Sequence, residues 1–144
     1  MDEMRQQPTA RNGHARGVRL MLAMIFLMTG VLKLVVPSLS EAWWGQLVAA
    51  EIPFPQLARW TVPFIEMAIG ALLAFGLFVR YASIVVTAIM VVATYVHVVV
   101  DDPGLFPLQP SEPVVPLLVI LASTYLLFGG GERSNELVSN RSTS

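Results

Sequence analysis

The chain has 144 residues, a formal net charge of −1, 55% hydrophobic and only 13% charged side chains, with a mean hydropathy of +0.65. That balance is too apolar for a soluble domain of this length and directs the chain to a membrane. There is no cysteine, which excludes disulfides, thiolate metal sites and direct thiol exchange, and a pI near 6.1 excludes a nucleic-acid partner, which would need a basic face.

Residues 1–17 form a polar arm containing Arg5, Arg11 and Arg16, read as a disordered cytoplasmic segment. Apolar runs follow at residues 18–36, 61–78, 81–100 and 114–128. The first three have the roughly 20-residue length that crosses about 30 Å of hydrocarbon as a helix, whereas the fourth needs its flanks to finish the crossing. None alternates like a barrel strand, and backbone groups in lipid must be satisfied within the segment, so helices are expected. The expected fold is an all-α integral membrane four-helix bundle over residues 18–129, with spans at about 18–36, 59–78, 81–100 and 113–129 and a disordered tail at 130–144.

The first run partly matches a cleaved signal peptide, having an arginine-rich start, an apolar core and small residues at Ser38 and Ser40. Gly30 and Lys33 inside the core, and its length, favour an uncleaved span. Next, the stretch SLSEAWWGQLVAAE (38–51) mixes apolar and polar residues around adjacent Trp43 and Trp44. Tryptophan prefers the headgroup level, so an amphipathic helix or partial hairpin on the outer face is expected there. The two prolines of IPFPQ (52–56) disfavour helix before them and separate this connector from the second span.

A turn near Arg80 and a proline-rich loop at 101–113 complete the connections. The spanning methionines (Met21, Met24, Met28, Met67, Met90) read as gap-filling apolar residues, with no copper chemistry. The run GGGER (129–133) reads as a helix stop rather than a phosphate loop, because no strand precedes it. Arginines 5, 11, 16, 19, 80, 133 and 141 fall on one side of the spans, and only Arg59 falls on the other, beside Glu41, Glu51, Asp101, Asp102 and Glu112. The positive-inside bias then places both termini in the cytoplasm.

Lys33, Glu66 and His97 are ionisable residues within the spans, each costing a few kcal/mol near the bilayer centre if unpaired. From the helical rise, Lys33 lies roughly 6 Å below the outer end of its span, Glu66 roughly 8 to 10 Å and His97 roughly 6 Å. A shared layer follows, and with it a candidate polar intramembrane cluster of Lys33, Glu66 and His97. Asp101, at i+4 from His97, is its candidate second shell as an acceptor for the imidazole. Gly30 and Gly70 lie near Lys33 and Glu66 and favour close helix packing, with Gly76 continuing the series. Each residue has a plainer reading: Lys33 snorkelling to headgroup phosphate, Glu66 in a structural ion pair or protonated, His97 as an interfacial side chain. The only other histidine is His14, so no metal site is expected.

The order GVLKL (30–34), IPFPQLA (52–58) and EMAIGALLAFGLFVRYAS (66–83) resembles the DoxX family of small four-helix bacterial membrane proteins. The likeness runs from about residue 19 to 97 and fades in the last third. It implies a multi-pass protein of the bacterial cytoplasmic (inner) membrane and a membrane component of a quinone-linked or oxidant-defence oxidoreductase assembly. Its founding member is a subunit of a thiosulfate:quinone oxidoreductase.

No flavin, haem or iron–sulfur motif is present, so the chain is expected to carry no cofactor of its own and not to be a complete enzyme alone. Quinone is the ligand, and a redox subunit the partner, that such a role would bring; no catalytic residue is assigned. The alternative class is a non-enzymatic membrane scaffold or small-solute or proton conduit. Four short helices are few for a monomeric transporter, so a conduit would need a homo-oligomer.

Overall fold

The computed structural model describes residues 7–129, with side chains from Gly13 onward. Among these residues the regular structure is all helical: α1 Gln7–Val35, α2 Pro37–Ala49, α3 Pro55–Phe75, α4 Val79–Val99 and α5 Val114–Gly129, with one 3-10 turn at Pro103–Leu105. Three helices are long and apolar enough to cross a membrane, and α5 is a shorter apolar helix. Together they form a helical membrane bundle.

Two boundaries differ from expectation. The arm expected to be disordered is helical from Gln7, because Ala10, Arg11, Ala15 and Arg16 are strong helix formers and extending an existing helix gains a hydrogen bond for each residue fixed. Residues 1–6 and the expected tail at 130–144 lie outside the described residues. The second span starts at Pro55 rather than near residue 59 and ends at Phe75. Proline fits a first helical turn, where its missing N–H is not needed, and Gly76 ends the helix with φ +72°, the left-handed cap that glycine adopts without a Cβ penalty.

α1 packs most extensively on α3, and α4 on α5, while α1–α5 and α3–α4 contacts join the two pairs. The α1–α3 contact is antiparallel, with successive points of approach at Lys33–Glu66, Gly30–Met67, Leu27–Gly70 and Arg19–Gly76. Pro63 lies buried within α3, and its carbonyl faces Gly30 across this contact. The main core joins Leu22 and Phe26 of α1, Ile69 and Leu73 of α3, Val86 of α4 and Val119 and Leu126 of α5. Between α4 and α5, the Thr87 and Ser123 hydroxyls meet at 2.8 Å, an interhelical hydrogen bond of the kind that holds helices together where lipid supplies no hydrophobic drive.

A second, smaller cluster of Ala50, Val96, Val100 and Phe106 fastens the end of α2 and the 100–113 loop to the end of α4. Gln46 of α2 donates to the Leu105 carbonyl, and the Tyr95 hydroxyl donates to the Ala50 carbonyl at 3.5 Å. The bundle thus has a connector end, covered by α2 and this loop, and a terminal end, where Arg19 crosses Gly76.

A Cβ on Gly70 would sit 2.7 Å from Leu27 Cγ and 2.9 Å from the Leu27 backbone nitrogen, and one on Gly30 would sit 2.8 Å from the Pro63 carbonyl oxygen. Backbone cannot yield as a flexible side chain does. Gly30→Ala and Gly70→Ala should each cost about 1 to 3 kcal/mol by overpacking. Gly17→Ala, with nothing within 4 Å, should be neutral or stabilising by up to about 1 kcal/mol. Thermal unfolding of the three variants in detergent checks this; equal midpoints would contradict the close approach of α1 and α3.

Candidate functional site: a buried ion pair under a tryptophan

Lys33 lies in the last turn of α1, and Glu66 lies midway along α3 on its buried face. The glycine-lined contact between the two helices brings the side chains together, and Lys33 Nζ donates to Glu66 Oε1 at 2.6 Å. Glu66 is 2% exposed and Lys33 21%. Because both charges are largely removed from water, their attraction offsets a desolvation cost of several kcal/mol per ion. α2 closes over them: Lys33 Nζ lies 4.3 Å from the centroid of the Trp43 ring, within cation–π range. The ammonium is therefore held between a carboxylate and an aromatic face, rather than extended to headgroups.

Two polar atoms around this pair have no partner. Glu66 Oε2 and Trp43 Nε1 are both buried without a hydrogen bond. An unmet buried polar atom costs about 1 to 3 kcal/mol, and these two differ in kind, the first an acceptor and the second a donor.

His97 is placed differently. Its Nδ1–H donates to the Ala93 carbonyl of its own helix at 2.8 Å, and its ring packs on Phe106 with centroids 4.2 Å apart. Nε2 is buried with no partner. Among the described residues no hydrogen bond or ion pair joins His97 to Lys33 or Glu66, and none joins it to Asp101, which is exposed. The geometry brings two of the three candidate side chains together and sets the imidazole in the small cluster beneath the 100–113 loop.

Sequence reasoning left Trp43 at the headgroup level without a partner. The signal was present in the WW pair, since adjacent helical positions point about 100° apart and a helix lying across two others can offer one ring to each. Trp44 accordingly faces Arg59 of α3, with Arg59 Cζ 5.4 Å from its ring centroid. α2 itself is a helix, as one of the two expectations had it.

The site's electrostatics give an asymmetric prediction. Lys33→Met strands a carboxylate in the protein interior and should destabilise by about 3 to 5 kcal/mol. Glu66→Gln should cost less, because Lys33 keeps some exposure and the Trp43 ring. The Lys33→Met/Glu66→Gln double variant should be more stable than Lys33→Met alone, read by a double-mutant cycle of unfolding in detergent. Additive losses would mean that the two groups do not interact.

The family model described as DoxX matches residues 16–99, which is more than half of the chain and runs from α1 to the end of α4. The interval contains Lys33, Trp43, Arg59, Glu66 and His97. No curated protein matches the chain, and no solved structure does. With that match and its apolar spanning helices, the chain belongs to the DoxX family and is a multi-pass membrane protein.

Proposed function

We propose that the chain is the membrane component of a quinone-linked or oxidant-defence oxidoreductase assembly in the bacterial cytoplasmic membrane, with Lys33, Glu66 and Trp43 forming its polar site. The observation that carries this reading is the pair of unmet atoms, Glu66 Oε2 and Trp43 Nε1, buried around an ion pair. An acceptor and a donor kept out of water suit a ligand that carries both a carbonyl and a hydroxyl in its two redox states, as a quinone does. When bound, a quinone supplies two-electron acceptor chemistry.

The chain's own residues hold its polar edge and exclude water. The Trp43 indole N–H and the Lys33 ammonium donate, and Glu66 holds a proton at Oε2 or passes it on. With no cysteine in the chain, thiols and electrons come from a partner subunit.

A second reading is a scaffold in which the pair only fixes helix register, and the short 2.6 Å contact beneath Trp43 favours it. The two readings separate on Trp43→Phe, which keeps a ring over Lys33 but removes the indole donor. In vesicles reconstituted with membrane extract and a quinone, the redox reading expects Trp43→Phe and Glu66→Gln to lower the quinone-reduction rate by about tenfold or more, within the usual range for lost proton-transfer groups. Trp43→Phe should leave the unfolding midpoint nearly unchanged. Wild-type rates in both variants would remove the site and leave the scaffold.

A further inference from the structure

Arg59 is the other cation at the connector end, and it lacks the carboxylate that Lys33 has. Among the described residues, the ion pair is Lys33–Glu66, and Arg59 makes one hydrogen bond, from Nη2 to the Ser40 hydroxyl at 3.2 Å. Its Nε is buried without an acceptor. A guanidinium stays charged at every accessible pH and presents five N–H donors in a planar fork, so one neutral hydroxyl leaves both its charge and most of its donors unanswered. The acidic side chains at this end, Glu41, Glu51, Asp101, Asp102 and Glu112, are all exposed and form no ion pair with it. The compensating anion has to come from outside the described chain.

The surroundings indicate what kind of anion. Arg59 Cζ lies 5.4 Å from the Trp44 ring centroid and 6.0 Å from that of Trp60, and paired indoles of this sort mark the headgroup level of a bilayer. Trp60 also walls an open depression of about 480 Å3, lined besides by Phe54, Pro55, Gln56 and Leu57. Phe54 and Leu57 are 79% and 67% exposed, so an unanswered cation adjoins an uncovered apolar surface. No acidic side chain occupies the first turn of α3, and the positive end of that helix therefore adds to the field of Arg59.

We propose that Arg59 and Ser40 hold the phosphodiester of a membrane phospholipid in the leaflet at the connector end, with its glycerol and acyl portion lying over Phe54, Leu57 and Trp60. The guanidinium fork matches two phosphate oxygens at once, and the Ser40 hydroxyl positions it. A free phosphate would answer the charge but leave the apolar depression bare, whereas a phospholipid meets both. This site is separate from the Lys33–Glu66 pair and stands whether or not that pair binds a quinone.

The test uses the full chain, delipidated in mild detergent, with native mass spectrometry titrations of dioleoyl phosphatidylglycerol, dioleoylglycerol and inorganic phosphate. Wild-type protein should retain phosphatidylglycerol about tenfold or more tightly than dioleoylglycerol, the contrast expected for charge-assisted hydrogen bonds, and excess inorganic phosphate should not displace it. Arg59→Gln should lose that preference, and Arg59→Lys, which keeps the charge without the fork, should fall between. Equal retention of the two lipids would reduce the depression to apolar adhesion. Displacement by inorganic phosphate would make this a free-anion site, and an unchanged preference in Arg59→Gln would remove Arg59 from it; each of these overturns the proposal. The wild-type titrations decide the first two outcomes even if the Arg59 variants fail to fold.

Discussion

The close approach of α1 and α3 governs how the rest of the molecule is arranged. Gly30 sits against Pro63 and Met67, and Gly70 against Leu27 and Ala23, so the two backbones run side by side with little between them. At that separation a lysine and a glutamate on facing turns span the gap and meet at 2.6 Å. The same register brings Arg19 over Gly76 at the opposite end. In hydrocarbon no hydrophobic force drives helices together, and association rests on packing and polar contact. Here small residues supply the first and a terminal ion pair the second.

α2 completes the connector end by dividing its two tryptophans between two helices. Trp43 covers the Lys33 ammonium and Trp44 stacks near Arg59, while Ser40 accepts from the guanidinium and Gln46 reaches the loop at Leu105. A segment between two spans would be free to lie anywhere on the membrane surface. These contacts make it a cap. Its cost is the buried, unpartnered indole N–H of Trp43, which a residue serving only to cover a cation would not have to carry.

Much of this was legible in the sequence, and what was not has definite physical reasons. Apolar length fixed the number of helices, because lipid permits few other backbone solutions. Depth along a helix follows from its rise alone, so Lys33 and Glu66 were placed at one level and the glycines around them were read as a close contact. His97 was placed at that same level, but depth does not give the direction a side chain faces. α4 packs mainly on α5, and the 100–113 loop folds back to set Phe106 against the imidazole, a long-range contact that no local pattern marks. The N-terminal arm was read as disordered from its polarity, although its alanines and arginines extend a helix begun in the span. The start of α3 was displaced because the second proline of IPFPQ opens a helix instead of blocking one.

A buried ion pair is weak evidence for stability, since apolar residues of similar volume often serve as well. Its value at the α1–α3 contact is positional: sliding either helix by one turn would separate Lys33 from Glu66 and carry Gly30 away from Pro63. One oxygen of Glu66 is enough for that purpose. The second oxygen and the indole nitrogen above the pair contribute nothing to register, yet both are kept from water at a cost of about 1 to 3 kcal/mol each. Register therefore accounts for the pair but not for its two unmet neighbours, and it is those two atoms, rather than the salt bridge itself, that a function for this end of the bundle has to use.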